Sequence, residues 1–207
     1  ATLNVLNLGS GTTLDVSSSL NVTGQLTMGS GNTVTFAGAL TIGSSTTTID
    51  NASSIKLTGA GWTLNHSGAI VVGSSGTISL DDDNSAGGGI TINVPTLTVQ
   101  TGGTIHANGT GGAGGTSGGA GAGTGGGGGG TYGRGAGFGG YGGRDGNSGL
   151  TVGAPYGSLT NPNDIGSGGG SYSSNAGGAG GGRIRLNVSG TLTVDGSLQA
   201  NGNGGSS

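Results

Sequence analysis

The sequence predicts an all-β fold: a parallel β-solenoid that carries a long glycine-rich insertion. Three observations predict it. Apolar residues recur two apart in short runs, Gly or Ser interrupts the chain every six to eight residues, and similar strand units repeat along its first half. A period of two places alternate side chains on one face of a strand, and short, evenly spaced strands are typical of units that stack on one another. No window has the i, i+3, i+4 spacing of a helix.

The strands of 1–108 are defined by pairs of apolar residues that flank a polar one. A period of two turns both members of a pair inward and the polar residue outward. Many outward residues are Thr, whose β-branched side chain suits a pleated surface. The expected inward pairs are Leu6/Leu8, Leu14/Val16, Leu20/Val22, Leu26/Met28, Val34/Phe36, Leu40/Ile42, Ile55/Leu57, Trp62/Leu64, Ile70/Val72 and Ile78/Leu80.

The number of strands in each coil has two interpretations. Similar units begin at Leu26, Leu40, Ile55 and Ile70, and their spacing suits two strands per coil. The spacing of the first apolar residues of successive strands, from Leu6 onward, also fits a three-sided coil, in which Leu6 and Leu26 lie one coil apart. We favour three sides because a two-sided coil leaves little interior. An antiparallel sandwich of hairpins is the alternative fold, but 1–105 lacks the Asn-Gly turns that hairpins favour.

A longer repeat divides the chain into three parts. Ala86–Gly112 aligns with Ala179–Gly205, and both copies end on a strand followed by Ala-Asn-Gly. We therefore expect solenoid coils over 1–108, a glycine-rich excursion over 109–182, and returning solenoid strands over 183–207. The repeat also predicts that the native protein continues, or abuts another copy, after Ser207.

The glycine-rich excursion holds 35 of the 57 glycines. A flexible linker is one interpretation, and ordered polyproline-II-like packing, with Gly at every third position, is the other. Five of the seven aromatic residues lie here, which a pure spacer would not need. They are the candidate ligand-binding residues: Tyr132, Phe138, Tyr141, Tyr156 and Tyr172.

Composition argues against several function classes. Charged residues make up 6% of the chain, the net charge is −3, and only five residues are basic, too few for a nucleic-acid surface. There is no cysteine for a disulfide or thiolate site, and no apolar run is long enough to span a bilayer. We expect no cofactor.

Catalytic and metal motifs are also missing. His66 and His106 stand far apart in the sequence, without a metal-ligand spacing, so we expect no enzyme. Asp81, Asp82 and Asp83 form the one acidic cluster. Oxygen-rich turns can hold Ca²⁺, but this cluster lacks the spacing of a calcium loop, and an exposed charged turn is the favoured interpretation.

Thr-x-Thr occurs at 33–35, 46–48, 96–98 and 191–193. A flat threonine array on a solenoid face could order water, as in ice-binding solenoids. The motifs look scattered along the sequence and are interrupted by other polar residues, so plain β-propensity on a solvated face is the favoured interpretation.

Two segments carry a family resemblance. Gly190–Gly202 (GTLTVDGSLQANG) and Ser30–Ser45 (SGNTVTFAGALTIGSS) resemble secreted bacterial β-solenoid adhesins of the filamentous-haemagglutinin and autotransporter-passenger type. The likeness covers 1–108 and 183–207 and implies surface display with roles in adhesion, matrix or filament formation. The glycine tract resembles the polyglycine-II tips of some phage tail-fibre adhesins, which implies receptor binding through aromatic-bearing loops. No individual site residue transfers from either family.

Together these features predict a non-enzymatic extracellular structural protein, a solenoid protomer that assembles end to end into a fibre or surface layer. Its partner is then another copy of itself, since strand pattern without a polar cap reaches both ends. The alternative is an adhesin of a bacterial surface or phage fibre, whose glycine-rich loops bind a cell-surface glycan or protein receptor. Both place the chain outside the cell or on its surface.

Overall fold

A computed structural model describes residues 1–43, 45–59, 61–81, 89–144, 151–158 and 160–206. Within these residues the secondary structure is all β, without a helix. The strands are β1 (Thr2–Leu3), β2 (Leu6–Leu8), β3 (Thr13–Val16), β4 (Leu20–Val22), β5 (Leu26–Met28), β6 (Thr33–Phe36), β7 (Leu40–Ile42), β8 (Thr47–Ile49), β9 (Ser54–Thr58), β10 (Thr63–His66), β11 (Ala69–Val72), β12 (Thr77–Asp81), β13 (Ile90–Val99), β14 (Thr104–His106), β15 (Ile184–Val194) and β16 (Ser197–Gln199).

The chain forms two compact units. The first comprises Ala1–Asp81, Ile90–His106 and Ile184–Gln199, and it contains all sixteen strands. The second comprises Asp82–Gly89, Ala107–Arg183 and Ala200–Ser207. The first unit is therefore the solenoid, and the second is built mainly from the glycine-rich segment.

Strands of the first unit stack in parallel in three columns, which confirms the β-solenoid and its three sides. The first stack is β1-β4-β7-β10-β13-β15 and the third is β3-β6-β9-β12-β14-β16. The second stack contains the pairs β2-β5 and β8-β11, and it continues through the C-terminal halves of β13 and β15. The coil lengthens along the chain, because the step between the partners Leu64 and Ile92 is longer than that between Leu20 and Leu40.

The solenoid interior is filled by the inward residues of the strands, as the period of two predicts. Phe36 and its neighbours in the central coils are at most 5% exposed, and burial of this kind is the main favourable term in folding. The buried residues of the first unit are Leu20, Val22, Leu26, Val34, Phe36, Leu40, Ile42, Ile49, Ile55, Leu57, Leu64, Ile70, Val72, Ile78, Leu80, Ile90, Ile92, Val94, Leu97, Val99 and Ile105.

One predicted inward pair is wrong. Trp62 precedes β10 and is 36% exposed, whereas His66 is the inward partner of Leu64 and is 4% exposed. The indole of Trp62 lies over Gly59, where a Cβ atom would approach Nε1 to 2.4 Å. The strand therefore begins at Thr63, one residue after the tryptophan, and the indole lies against Gly59 outside the core.

Coils differ mainly at one corner, the connection from the third stack to the first. Successive connections are 17–19, 37–39, 59–62, 82–89 and 107–183. After the longest of them the chain resumes its register, because Thr104 pairs with Ser197 and Thr96 with Thr191. The strands before and after this connection are thus neighbours in the solenoid.

Hydrogen bonds in the second unit repeat every three residues. Three residues per turn is the repeat of a polyproline II helix, so an amide and the one three residues later donate to the same neighbouring segment. The donor–acceptor sets are Gly112/Gly115 to Gly166/Gly169, Gly127/Gly130 to Gly168/Ser171, Arg134/Gly137 to Gly128/Gly125, and Gly177/Gly180 to Gly115/Gly112. These bonds decide between the two interpretations of the segment in favour of ordered packing.

Close approach of these segments explains the glycine content. A Cβ atom added to Gly168 would lie 2.0 Å from the carbonyl oxygen of Ala113, and one added to Gly114 would lie 1.8 Å from that of Gly177. Real Cβ atoms essentially never come closer than 3.0 Å to another heavy atom. Ala113 itself is exposed. Gly168 and Gly114 therefore lie where backbones touch, whereas the methyl group of Ala113 lies at an exposed position.

Candidate functional site

The aromatic residues predicted as a binding set fall into two pairs and one separate side chain, all in the second unit. Tyr132 and Tyr172 stack with ring centroids 5.8 Å apart and planes 25° apart. Phe138 and Tyr156 meet edge to face at 5.0 Å and 87°. Tyr141 is 75% exposed and makes no ring contact with another described residue. The structure thus offers two aromatic sites in place of one.

The Tyr132–Tyr172 pair lies beside an open pocket of about 510 Å³. Both rings are about half exposed. The backbone holds Tyr172 in place, because Gly130 donates to the carbonyl of Ser171 and the Ser173 amide donates back to Gly130 at 3.0 Å. The pocket is lined by Ser117, Gly118, Gly130, Thr131, Tyr172, Ser173 and Ser174.

Hydroxyl groups surround this pocket because two tight turns end there. Ser117 and Ser173 both adopt a left-handed backbone, with φ of 50° and 49°. Such a conformation is uncommon for a residue other than glycine. Exposed aromatic rings next to hydroxyl groups form an amphipathic surface, and we call it the tyrosine pocket.

The second pair, Phe138 and Tyr156, is held in place by hydrogen bonds of the Tyr156 hydroxyl. The Tyr156 hydroxyl donates to the carbonyl of Ile165 and accepts a 2.8 Å hydrogen bond from Ser167, whose own oxygen accepts from the Gly125 amide at 3.0 Å. Phe138 is half exposed and, with Tyr156, lines a smaller cleft of about 260 Å³. The Tyr156 hydroxyl is fully engaged within the protein, so this tyrosine mainly positions the chain and supports the Phe138 ring.

Metal and catalytic candidates are not brought together. Asp81 forms a salt bridge with Lys56 at 2.8 Å, while Asp82 and Asp83 lie outside the described residues. His66 lies in the first stack and His106 in the third. Across the described residues, no group of three or more His, Cys, Asp or Glu side chains could hold a metal ion.

His66 is a structural side chain. Its Nδ1 accepts from the Gly68 amide at 2.9 Å, so Nε2 carries the proton and donates to Thr47 Oγ1 at 2.9 Å. Burial lowers the pKa of this imidazole, and burial lowers the pKa of His106 as well. Asp50 also serves the fold: hydrogen bonds from the amides of Ser75 and Asn51 and from the Ser75 hydroxyl lower the pKa of its carboxyl.

An asparagine ladder on the first stack escaped the sequence reasoning. Asn21, Thr41, Asn65, Asn93 and Asn187 occupy one outward row. Asn93 donates to Asn65 at 2.8 Å and Asn187 donates to Asn93 at 2.7 Å. The row borders a groove of about 510 Å³. A signal was present, because four of these strands share an apolar-Asn-apolar or apolar-Asn-His core.

The two ends of the solenoid expose residues that are buried in its central coils. Leu3 in β1 is 39% exposed, and Leu192, Val194 and Leu198 in the last coil are 40–47% exposed. Within the described residues, β1, β2 and β3 pair on one side only, as do β15 and β16. Among the described residues, the outer strand edges of the first and last coils are therefore unpaired and lie beside exposed apolar side chains.

Fold and site together define a three-sided parallel β-solenoid with a polyproline-II-like glycine unit. The sequence matches no described protein family, no curated protein and no solved structure. The described residues include no helix long and apolar enough to cross a membrane.

Proposed function

We propose that the chain is a non-enzymatic extracellular structural protein, a β-solenoid protomer that assembles end to end into a fibre or surface layer. The observation that carries the proposal is that the first and last described coils have unpaired outer strand edges and exposed apolar side chains. Unpaired strand edges recruit other strands, and exposed apolar side chains favour association because burial removes them from water.

The two ends are complementary in register. In the third stack, one inward column runs from Leu14 through the coils to Leu198, and the adjacent outward column runs from Asp15 to Gln199. Stacking the first coil of one copy on the last coil of another places leucine on leucine and an aspartate on a neutral glutamine. No like charges meet there, so the same alternation continues across the junction.

Concentration-dependent assembly tests this proposal. Electron microscopy and light scattering of the purified chain should show fibres of uniform width that lengthen with concentration. Leu192→Lys should abolish them, because it puts a charge into the stacking surface. Thr191→Lys is the matched control, since this exposed neighbour on the same strand points the other way. Stable monomers at high concentration, or fibres of Leu192→Lys equal to those of the parent chain, would refute end-to-end assembly.

The tyrosine pocket supports a second candidate, an adhesin that binds a cell-surface glycan. Aromatic rings pack against the apolar faces of sugars, while serine and threonine hydroxyls bond to sugar hydroxyls. A glycan-array screen with the purified chain should give ligands whose binding is lost in Tyr172→Ala and kept in Tyr141→Ala. Equal loss in both variants, or an array without hits, would rule this function out. Under both proposed functions the protein lies outside the cell or on its surface, as the resemblance to secreted adhesins implies.

A further inference from the structure

Three of the four Thr-x-Thr motifs lie on one face of the solenoid, the outward side of the second stack. One row of register partners is Thr48, Val71, Thr98 and Thr193. A second row, two residues earlier along each strand, is Ala69, Thr96 and Thr191, with Thr46 at the same offset from Thr48. We call these two rows the threonine face. The motif at 33–35 lies apart from them, on the third stack.

The threonine face is a two-dimensional lattice. Neighbouring strands lie about 4.7–4.9 Å apart, and alternate residues on one strand are separated by roughly 6.6–6.8 Å. β-Branching restricts χ1 of threonine and valine, so their methyl and hydroxyl groups repeat in nearly fixed positions. Val71 keeps the shape of threonine and replaces one hydroxyl by a methyl group, while Ala69 lacks both γ substituents.

The chemistry of this face differs from that of the other two. Charged strand residues of the solenoid lie elsewhere: Asp15, Lys56 and Asp81 on the third stack and Arg185 on the first. Among the residues that the structure describes, no protein atom accepts or donates a hydrogen bond at the side chains of Thr98, Thr193 or the other threonines of this face. Their hydroxyls are therefore available to solvent in a regular, uncharged array.

We propose that the threonine face binds ice. Regularly spaced hydroxyls hydrogen-bond to water molecules held at lattice positions. A hydrogen bond to ordered water is nearly as favourable in enthalpy as a direct hydrogen bond between protein groups. The methyl groups between them do not compete for that water. A crystalline polysaccharide is a weaker fit, because its flat surface favours aromatic partners and no described aromatic residue belongs to the two rows. The proposal is independent of end-to-end assembly, since the rows contain none of the inward residues of the terminal coils.

Ice shaping and thermal hysteresis of the purified chain test the proposal. The parent chain should shape ice crystals and show hysteresis. Thr98→Lys should lose both, because a hydrated ammonium group then stands at the centre of the lattice. Thr35→Lys is the matched control: it makes the same change at an outward threonine on the third stack. It should keep the full effect, with circular dichroism confirming that both variants fold.

A gain-of-function variant complements the loss. Val71→Thr fills the missing hydroxyl in the row of Thr48 and Thr98, and it should raise hysteresis at equal protein concentration. Absence of hysteresis and ice shaping in the parent chain would overturn the proposal, as would equal loss in Thr35→Lys and Thr98→Lys. Adsorption to crystalline cellulose or chitin without any effect on ice would assign the face to a polysaccharide instead and would also overturn it.

Discussion

Adding one methyl group to Gly168 tests whether the glycine unit is packed as the structure shows. Gly168 is buried, and a Cβ atom there would lie 2.0 Å from the carbonyl oxygen of Ala113 and 2.5 Å from its carbon. An ordinary van der Waals contact is 3.4–4 Å. The two backbones would thus have to separate by more than an ångström, and both are held by hydrogen bonds to further segments.

The expected cost follows from two terms. Overpacking of a close-packed interior costs about 1–3 kcal/mol. Moving the two backbones apart also disrupts two hydrogen bonds, from the Gly168 amide to the Ala122 carbonyl and from the Gly127 amide to the Gly168 carbonyl. Each contributes about 0.5–1.5 kcal/mol. Gly168→Ala should therefore destabilise the second unit by about 2–6 kcal/mol. Because 1 kcal/mol shifts Tm by roughly 2–4 °C for a chain of this size, the midpoint should fall clearly.

The control is Gly143→Ala. No atom lies within 4 Å of a Cβ built on Gly143. This glycine is exposed, and its φ lies outside the left-handed region, so other residues can adopt its conformation. The change removes freedom from the unfolded chain and should stabilise by about 0.4–1 kcal/mol. A flexible segment would respond equally to both substitutions. Equal midpoints for Gly168→Ala and Gly143→Ala would therefore refute the packing argument.

Aromatic residues provide separate signals for the two units. The only tryptophan, Trp62, lies in the solenoid, whereas all four tyrosines belong to the glycine unit. Thermal unfolding followed by near-ultraviolet circular dichroism of tyrosine should show the shift caused by Gly168→Ala. Tryptophan fluorescence should report the solenoid transition in the same sample. A shift confined to tryptophan would place the damage in the wrong unit and contradict the reasoning.

Three further predictions concern the solenoid, with chemical denaturation followed by tryptophan fluorescence as the measurement. Ala52 adopts φ of 60° in a tight turn, so Ala52→Gly should stabilise by about 0.5–1 kcal/mol, the left-handed penalty less the added chain entropy; a loss of stability would contradict this. Asn32 is fully buried, accepts from the Thr12 amide at 2.8 Å and donates to the Leu8 carbonyl, so Asn32→Ala should cost about 1–3 kcal/mol, and Asn32→Asp, which loses the donor and buries a carboxylate, should cost at least as much. The folded state lowers the pKa of His66 by burial and so binds fewer protons than the unfolded state; stability should be complete above about pH 6.5 and fall below it. His66→Gln should remove most of this decrease in stability with falling pH, and His106→Gln, at a less buried site, should remove less of it. An unchanged pH dependence in His66→Gln would contradict the role given to His66.

The solenoid could be predicted because its signal is local. Alternation of apolar and polar residues needs only two or three neighbours, and Leu20, Leu40 and Val34 face inward as that pattern requires. The exception is at Trp62 and His66, where the strand begins one residue after the tryptophan. Inward histidine could not be predicted, since its burial depends on hydrogen bonds to Thr47 and Gly68 made in the folded state.

The grouping of outward residues into surfaces could not be predicted, because it depends on coil length. Thr48, Thr98 and Thr193 share one row although the intervals between them are unequal, since the corner connections of the later coils differ in length. Scattered motifs in the sequence thus become adjacent on the fold. The alignment of Asn65 with Asn93 in the asparagine ladder depends on coil length in the same way, although the motif around each asparagine is visible in the sequence.

Glycine order in the second unit needed the structure for a different cause. A count of every third residue carries little information where most residues are glycine. Each segment also finds its partners far along the chain: Gly112 donates to Gly166, and Gly168 to Ala122. Pairing of this kind is decided by which backbones can approach without side chains between them, so no local pattern encodes it.

The long repeat links the two units in sequence, and each unit uses it in its own way. In the solenoid its two copies are adjacent strands, with Thr104 opposite Ser197. In the glycine unit its Asn-Gly ends are also neighbours, because the Asn201 amide donates to Asn108 Oδ1 at 2.8 Å and the Gly109 amide donates to the Asn201 carbonyl. The same repeated sequence therefore forms paired strands in the solenoid and hydrogen-bonded neighbouring segments in the glycine unit. The excursion stands at a coil corner and interrupts no strand, so the strands that flank it keep their register.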